Sequence, residues 1–486
     1  MIRRRLVYGL STATFLLVVF ALLSIQHATK GLDVPGLVRP KGQNAESCTG
    51  VLGALKALDL TPGVQYAKRC ITARAVDDYK PRSIVHLEQR LLTGFQDVAL
   101  DQLCEEQPVI QAEIEDCITI DYPVFKPPHD IGTSALLLGA STTLERLNDS
   151  LPQMARWLAN KTTSLVVIIK DSGDFPNFEA VQEKADALGI DATLLPNLDP
   201  SEEDRHAQRH FNVLHALYIN QTPANKWFGI IDDDTFFPSL PALLDALRPY
   251  DPNMPYYIGA LSEDWHGVAH FGYMAYGGAG MFLSRPLLET LHANFDACKT
   301  AGYEGDILYR DCIYSVTSPP VQLTQLPGLH QLDFFGDVSG WYEAGIKPVL
   351  SLHHYNGWHN YPVQYGHLIT DICGTSCFLQ RYRFADDVVL TNGYSLVKYP
   401  RGLQNIDFNR VEGTFLHEKG QFDFSLGSFR PALGEKDKVS WRLEYAVKDD
   451  GMARQFYVRR AERDEKGKLV DREGRDSVIE VEWRSQ

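Results

Sequence analysis

Residues 227–237, with the sequence WFGIIDDDTFF, decide the fold class of this chain. Residues 227–231 are apolar or small, as in a buried strand, and Asp232, Asp233 and Asp234 follow directly. Consecutive carboxylates at the end of a buried strand are costly unless their charge is compensated. Divalent cations such as Mg2+ and Mn2+ prefer oxygen ligands and are the natural compensation. The segment therefore predicts a divalent-metal site; the alternative is a solvated acidic turn.

The direction of the three side chains divides their predicted roles. Side chains alternate along an extended segment, so Asp232 and Asp234 are predicted to face one way and Asp233 the other. One face of the segment is then available to a metal ion. The middle carboxylate is predicted to bind hydroxyl groups of a ribose or a sugar.

Upstream of this segment, short apolar stretches alternate with helical patterns. The apolar stretches lie at residues 134–139, 164–170, 191–195 and 227–231, and the helical patterns at 143–160, 178–188 and 203–219. Strands that are apolar throughout and alternate with helices predict an α/β domain with a parallel sheet covered on both faces. Ligands of such sheets bind beyond the carboxyl ends of the strands, which is where the three aspartates are predicted to lie.

The regions on either side of this α/β stretch have a different character. Residues 27–125 form a predicted stem, in which Glu88–Leu92 and Val98–Leu100 suggest short helices. From residue 386 to residue 486, short β-type stretches separated by Gly and Asp predict a small antiparallel β module. The α/β domain is therefore predicted to span residues 126–385. A chain of 486 residues is long enough for two or three such units.

The N-terminus predicts a membrane anchor. Arg3, Arg4 and Arg5 precede an uncharged run from Leu6 to Ile25, which is about long enough to cross a bilayer as a helix. A cleaved signal peptide is the alternative, but its apolar region is usually shorter and residues 24–28 make a poor cleavage site. The arginines favour a cytosolic tail at residues 1–5, a transmembrane segment at 6–26 and a lumenal remainder.

Cysteines and sequons agree with a lumenal location. The eight cysteines predict disulfides of undetermined connectivity, with Cys373 and Cys377 forming either a local disulfide or a buried structural pair. Three N-glycosylation sequons begin at Asn148, Asn160 and Asn220. The net charge of −15 argues against a nucleic-acid partner, because neutralising phosphates requires a basic surface.

Residues 227–237 resemble the Asp-x-Asp strand of the fringe-like glycosyltransferases, glycosyltransferase family 31, and most closely the fungal fringe-like branch. Residues 276–284, YGGAGMFLS, are similar to the family's glycine-rich segment beside the donor sugar. The resemblance assigns the donor to Asp232, Asp233 and the four residues of that segment: Gly277, Gly278, Ala279 and Gly280. It implies a GT-A type, Rossmann-like domain that binds a nucleotide sugar.

Two further motifs complete the resemblance. In Gly305–Cys312 the family's catalytic base corresponds to Asp306, with Glu304 and Asp311 as nearby alternatives. In residues 350–355, LSLHHY, the family's metal-binding histidine corresponds to His353, with His354 as the alternative and Asp234 as the opposing ligand. The downstream residues Trp358 and His359 are predicted to line the acceptor side. The base motif departs from the paired acidic residues of many relatives.

The resemblance implies an inverting transferase in the Golgi or the ER. It would move a sugar from a UDP-sugar to a hydroxyl of a glycan or glycoconjugate, with Mn2+ or another divalent cation as cofactor. A metal-dependent hydrolase is a second hypothesis, but such sites usually have more histidine ligands at tight spacing. A third hypothesis is a non-catalytic lumenal carbohydrate-binding protein on a degenerate fold. Donor turnover separates the first hypothesis from the third, and dependence on a nucleotide sugar separates it from the second.

Overall fold

Two β-sheets and the helices packed on them make up this computed structural model. The structure describes residues 51–77, 83–92, 94–100, 116–123, 132–170, 177–197, 206–299, 305–416, 426, 429–449, 451–464, 466–471 and 474–486. The predicted cytosolic tail and the predicted transmembrane segment lie outside these residues. Among the residues within them, no helix is both long and apolar enough to span a bilayer.

The strands are numbered in chain order. The first eleven are β1 (Gly63–Val76), β2 (Ile84–His86), β3 (Gln96–Ala99), β4 (Ile118–Pro123), β5 (Leu136–Thr142), β6 (Ser164–Ile169), β7 (Ala192–Pro196), β8 (Trp227–Ile230), β9 (Tyr257–Gly259), β10 (Met281–Ser284) and β11 (Leu323–Gln325). The others are β12 (Phe335–Gly336), β13 (Arg381–Arg383), β14 (Val388–Thr391), β15 (Ser395–Lys398), β16 (Val411–Gly413), β17 (Phe415–Leu416), β18 (Phe429–Pro431), β19 (Val439–Asp449), β20 (Met452–Arg459) and β21 (Asp476–Ser485).

The α-helices are numbered in the same way. They are α1 (Val51–Ala57), α2 (Leu144–Leu158), α3 (Phe178–Ala187), α4 (His206–Asn220), α5 (Leu240–Leu247), α6 (Trp265–Phe271), α7 (Arg285–Ala293), α8 (Phe295–Lys299), α9 (Gly305–Val316), α10 (Ser339–Ala344), α11 (Val363–Gly366) and α12 (Thr370–Cys373). Short 3-10 turns occupy Thr133–Ala135, Gly277–Ala279, His367–Ile369 and Thr375–Cys377.

The seven-stranded sheet has the order β11-β9-β10-β8-β5-β6-β7. Strands β8, β5, β6 and β7 run parallel, whereas β10 is antiparallel to both of its neighbours. The prediction of an α/β domain with a mainly parallel sheet is therefore confirmed. The helices α2, α3 and α4 form where the 3.6-residue periodicity placed them. Thr143 caps the first of them by accepting a hydrogen bond from the backbone N–H of Arg146.

The second sheet has ten strands and joins both ends of the described chain. Strand β1 pairs in parallel with β21, from Val64 opposite Asp476 to Ala73 opposite Ser485. Strands β2 and β13 are also parallel, so the sheet is mixed. The sequence predicted a separate stem and a small antiparallel module; the structure places strands from both in one large sheet. Residue periodicity does not reveal this pairing, because its partners lie about 400 residues apart in sequence.

The two short helices predicted in the stem do not form. Residues 96–99 are strand β3, which pairs antiparallel with β1. Residues 88–92 are irregular, and the backbone N–H groups of Leu91 and Leu92 donate to the carboxylate of Asp386 at 3.1 and 3.0 Å. Long-range partners satisfy this backbone, so the weak local helix propensity has no effect.

One continuous hydrophobic core joins the two sheets. It includes Leu136 and Phe236 from the region of the seven-stranded sheet, and Trp441 and Trp483 from the ten-stranded sheet. The described residues accordingly fall within a single compact unit. The region after residue 386 is thus built into the core and does not pack as a separate module.

The prediction of disulfides is confirmed for six of the eight cysteines. Cys70 bonds to Cys117, Cys298 bonds to Cys312, and Cys373 bonds to Cys377 as a local disulfide. The Cys298–Cys312 bond ties α8 to α9, the helix that carries Asp306. Cys48 and Cys104 lie outside the described residues.

Candidate functional site

The three aspartates lie in a tight turn directly after β8. The backbone N–H of Asp232 donates to Oγ1 of Thr235 at 3.0 Å, and the N–H of Thr235 donates to the carbonyl of Asp232 at 3.2 Å. Asp233 and Asp234 are buried, whereas the side chain of Asp232 is 38 % exposed. Asp232 and Asp234 both lie beside His353 and Asp233 lies beside Arg146, but the residues form a turn and not the extended segment from which this division was predicted.

His353 lies opposite this side of the segment. Phe236 and Leu352 exchange backbone hydrogen bonds of 2.8 and 2.9 Å, which places the residue after Leu352 beside the aspartates. The Nε2 atom of His353 is 3.3 Å from Oδ2 of Asp232 and 3.1 Å from Oδ1 of Asp234. The ring is buried.

His354 approaches Asp234 from its other oxygen. Its Nδ1 atom is 3.8 Å from Oδ2 of Asp234, and its Nε2 atom is 3.1 Å from Oδ1 of Asp333. His354 has a positive φ of 57°, which turns its ring to the same cluster as the ring of His353. The two histidine rings are 3.6 Å apart between centroids.

The hydrogen-bond roles of the two histidines leave lone pairs facing the aspartates. The Nδ1 atom of His353 is 3.1 Å from the carbonyl oxygen of Gln331 and must donate to it. In the neutral ring, the lone pair is then on Nε2 and faces Asp232 and Asp234. A donation from Nε2 of His354 to Asp333 similarly leaves its Nδ1 lone pair toward Asp234. Outer hydrogen bonds of this kind orient metal-binding histidines in proteins.

These groups fit a divalent cation. Ligand atoms of Asp234, His353 and His354 all lie within 4.8 Å of one another. Burial lowers the pKa of His353, but the carboxylates of Asp232 and Asp234 outweigh this effect and raise the pKa to about 10. Burial tends to raise the pKa of Asp234, yet His353 and His354 hold it below the ordinary value. The cluster therefore favours a positive charge, either a proton or a metal ion.

Asp233 contacts Arg146 and Thr142 and not the histidines. Oδ2 accepts a hydrogen bond from Nε of Arg146 at 2.7 Å, and Oδ1 forms an ion pair with the same guanidinium. Thr142 at the end of β5 also donates to Oδ2. The structure thus pairs Asp233 with the start of α2, and the role of this carboxylate in binding ribose or sugar hydroxyls stays a prediction. Nothing in the sequence pattern indicates the Arg146 contact.

The glycine-rich turn packs between the histidine and the predicted base. Gly277–Ala279 form a 3-10 turn, and the carbonyl of Gly278 accepts a hydrogen bond from Oγ1 of Thr235 at 2.9 Å. A Cβ atom at Gly278 would lie 2.0 Å from the ring of His353. At Gly277 it would lie 2.7 Å from Oδ1 of Asp306. Both positions therefore favour glycine, because the side chain of His353 or Asp306 already occupies the space that a Cβ atom would need.

Ala279 and Gly280, the last two residues of the predicted donor-binding segment, are also fixed. The N–H of Ala279 donates to the side chain of Gln331 at 2.8 Å, and its carbonyl accepts from Ser351 at 2.6 Å. Gly280 has a positive φ of 97°, where an L-residue is strained. The turn is therefore held rigidly at the edge of the aspartate cluster.

Asp306 occupies the first turn of α9 and reaches the glycine turn. Its Oδ2 atom accepts a hydrogen bond from the backbone N–H of Gly277 at 2.8 Å. Burial raises the pKa of Asp306 to about 6, although the charge of His210 and the N–H of Gly277 act in the opposite direction. A carboxylate with a pKa near neutrality is well suited to accept a proton.

Asp311, the alternative acid that the structure describes, does not contact the glycine turn in this way. Asp311 is 38 % exposed on its side chain and pairs with Nε of Arg310 at 2.8 Å. Glu304 lies outside the described residues. Of the predicted acids that the structure describes, Asp306 is the one in contact with the glycine turn.

His210 is a site residue that sequence reasoning did not identify. It is buried on α4, and its Nε2 atom is 3.6 Å from Oδ1 of Asp232. Its ring packs edge-on against Tyr309, whose centroid is 5.7 Å away. Burial lowers the pKa of His210, but Asp232, together with the charge of Asp306, raises it overall. A single histidine in an amphipathic helix carries no sequence signal of such a role.

Trp358 and His359 have opposite environments. Trp358 is exposed and stacks on His354 with 3.7 Å between ring centroids. His359 is buried, and its Nε2 atom donates to the carbonyl of Leu332 at 2.9 Å. Burial lowers the pKa of His359 to about 4, so the ring is neutral. The structure therefore leaves Trp358 at the mouth of the site and gives His359 a supporting contact.

Comparisons with known proteins identify one partial family match. A family model described as "Protein of unknown function, DUF604" matches residues 267–363, a minor part of the chain. The match contains the glycine turn, Asp306 and both histidines. None of the curated proteins matches the chain.

Several solved structures resemble part of the chain weakly. A mannosyltransferase from Pyrobaculum calidifontis, solved with GDP-Man and Mn2+, has 13 % identity and a TM-score of 0.29; the match covers 40 % of this chain and 55 % of that one. Mouse xyloside xylosyltransferase 1 has 13 % identity and a TM-score of 0.28, with 39 % and 84 % covered. A 4-diphosphocytidyl-2C-methyl-D-erythritol synthase from Anaerococcus prevotii has 9 % identity and a TM-score of 0.26, with 40 % and 87 % covered. Likenesses this weak carry no argument about the present chain.

Proposed function

We propose that the chain is a metal-dependent inverting glycosyltransferase that moves a sugar from a UDP-sugar to a hydroxyl of a glycan or glycoconjugate. One observation carries the proposal: a two-glycine turn touches a buried histidine–aspartate cluster at Gly278 and a carboxyl of raised pKa at Gly277. The arrangement supplies a cation site and a proton acceptor on either side of a narrow backbone segment.

Asp232, Asp234, His353 and His354 would hold the cation, with Gln331 and Asp333 orienting the two histidines. A divalent cation bound there supplies Lewis-acid stabilisation of the diphosphate leaving group. The carboxylate of Asp232 is partly exposed to solvent, and the backbone of Gly277–Gly280 would allow a sugar to approach closely, because it has little side-chain bulk.

Asp306 would act as the general base. Its carboxylate takes the proton from the acceptor hydroxyl as that oxygen attacks the anomeric carbon, and the bond to the diphosphate breaks. The Gly277 N–H holds one oxygen of Asp306, which leaves the other free to face the substrate. A single displacement of this kind inverts the configuration at the anomeric carbon.

A donor screen with the full-length protein tests the proposal. Release of nucleotide is measured for UDP- and GDP-linked sugars, with Mn2+ and with a chelator. Asp306→Asn should lower turnover by about 10²–10⁴-fold, the usual value of a positioned proton acceptor, while nucleotide and metal binding survive. Asp311→Asn is the matched control, and Glu304→Gln tests the remaining rival. Normal turnover of Asp306→Asn with loss in a neighbour would mean that the base is another residue.

The location in the Golgi or ER is also part of the proposal. This location is supported by the arginines and the apolar run at the N-terminus, and by the three disulfides of the described residues. A C-terminal tag should be protected from protease in intact microsomes and digested after detergent is added. Digestion without detergent would contradict a lumenal catalytic domain.

A further inference from the structure

Four aromatic rings connect the aspartate cluster to the protein surface. The rings of His353 and His354 are 3.6 Å apart, those of His354 and Trp358 are 3.7 Å apart, and those of Trp358 and Phe335 are 4.2 Å apart between centroids. The interplanar angles at Trp358 are 19° and 23°. The rings of His354 and Phe335 are both so close and so parallel to Trp358 that they would overlap each other on the same face of it. They therefore lie on opposite faces of Trp358. We call these four residues the ring column.

Exposure rises along the ring column. His353 is buried and His354 is half-buried, whereas Trp358 is 41 % exposed and Phe335 is 49 % exposed. Leaving two large apolar rings in water has a free-energy cost, and exposed apolar groups beside a site usually mark a binding surface. The outward face of Phe335 is therefore the open end of a column that begins at the proposed metal ligands.

The two-stranded sheet of β12 and β17 holds this end in place. The backbone of Phe335 pairs with Leu416 in the short ladder of β12 and β17, and Phe334 stacks on Phe415 at 4.5 Å. Two residues later, the carbonyl of Asp337 accepts a hydrogen bond from Oγ1 of Thr414 at 2.6 Å. The region after residue 386 thus supports the segment that carries Phe335.

We propose that the outer face of Phe335, with the edge of Trp358, binds a pyranose ring of the acceptor. Pyranose rings have an apolar face of C–H groups, which packs on aromatic rings, and a rim of hydroxyls. Asn356 and Asn360 flank Trp358 in the same exposed loop and supply amides of the type that such hydroxyls require. The inference rests on the proposed function and names its acceptor class.

The geometry also sets the position of this sugar in the acceptor. The ring of Phe335 is separated from His354 by the whole thickness of Trp358, and a bound pyranose lies one further layer out. The sugar on Phe335 is therefore not the one whose hydroxyl reacts beside Asp306. The acceptor is an oligosaccharide or glycoconjugate that extends outward. We call the outer face of Phe335 and the edge of Trp358 the platform; a single sugar at the reacting position does not reach it.

Two variants test the platform in the full-length protein. Phe335→Ala removes the outer ring and keeps the backbone pairing with β17. Phe95→Ala is the matched control, because Phe95 is 38 % exposed and stacks at 5.9 Å on Trp441, which is not one of the four rings of the ring column. The acceptor probes are maltotriose, cellotriose and α-1,6-mannotriose, each compared with the methyl glycoside of its monosaccharide.

Binding is measured first by saturation-transfer NMR, which needs no turnover. At least one trisaccharide should receive saturation from the wild type, lose it with Phe335→Ala and keep it with Phe95→Ala. Absence of transfer to all three trisaccharides, or equal transfer in Phe335→Ala, overturns the inference.

Kinetics then separate this inference from the proposed function. With an active donor, Phe335→Ala should raise KM for the trisaccharide by about 3–10-fold, leaving kcat, the methyl glycoside and donor hydrolysis unchanged. An equal KM in both proteins overturns the platform while the transferase stands. Trisaccharide binding that depends on Phe335, without turnover of any nucleotide sugar, contradicts the transferase and retains the platform.

Discussion

Two buried charge clusters in this molecule are balanced in different ways. In the first, which we call the sheet cluster, Nζ of Lys438 is 2.5 Å from Glu343 and 2.9 Å from Glu412, and Arg430 is 2.7 Å from Glu412. All four side chains are buried, and the two cations match the two carboxylates. Burial raises the pKa of Glu343, although Lys438 acts in the opposite direction.

The second, which we call the site cluster, consists of Asp232, Asp234, His353 and His354. It contains two carboxylates and no lysine or arginine, so its balance depends on protons or on a bound cation. A buried ion pair completed within the chain stabilises a particular packing, whereas one left open is available for binding. The comparison predicts that mutations separate stability from function.

The largest expected effect is at the site cluster. Asp234→Asn replaces a carboxylate ligand with a weaker neutral one and should remove nearly all turnover that depends on a divalent cation. The variant should still fold but with a lower melting temperature, because His353 and His354 hold the pKa of Asp234 below its ordinary value, so its carboxylate stabilises the metal-free protein at neutral pH. Titration with Mn2+ and nucleotide measures the loss of binding. Equal turnover of the variant and the wild type in Mn2+ would exclude this metal site.

The sheet cluster should respond in the opposite way. Lys438→Met leaves two buried carboxylates without their shared cation and should lower the free energy of unfolding by about 3–5 kcal/mol. Turnover per folded molecule should remain normal. Denaturant unfolding and active-site titration measure the two quantities. Arg74→Met, at an exposed ion pair with Asp121, is a control that should change stability little. Unaltered stability of Lys438→Met would mean that the sheet cluster is not needed for the fold.

The pH dependence of turnover should follow Asp306. The base acts as a carboxylate, and burial raises its pKa to about 6, so turnover should fall as pH drops below about 6, approaching tenfold per unit. A profile of kcat/KM against pH measures this limb. The residual activity of Asp306→Asn should lack it. An unchanged acid limb in this variant would assign the titration to another group.

The smallest expected effect is on stability at Asp306, and its sign is informative. The folded pKa is above the ordinary value of 3.8, so the folded state binds the proton more tightly and loses stability as pH rises from about 4 to about 6. Asp306→Asn removes this cost and keeps an acceptor for the Gly277 N–H. It should therefore stabilise the protein by about 1–2 kcal/mol at pH 7.5 but not at pH 4. If Asp306 only caps α9, its loss should instead destabilise the protein by about 0.5–2 kcal/mol. Urea unfolding at both pH values decides between them.

The sequence by itself determined the local features of this protein. Apolar stretches and 3.6-residue periodicity predicted β5 to β8 and the helices between them, and the run of three aspartates indicated the end of the strand where the cluster lies. These features depend on a residue's own preferences and on those of its close neighbours, so a single sequence contains them.

Only the tertiary structure decided which distant groups meet. It brought Asp306, but not Asp311, into contact with the glycine turn. It also placed His210 beside Asp232 and paired Asp233 with Arg146. It also joined β1 to β21 in one sheet, so a predicted stem became part of the core. These contacts depend on how the chain closes over hundreds of residues. The free energy of closure is set by shared burial and pairing, and local periodicity does not encode it.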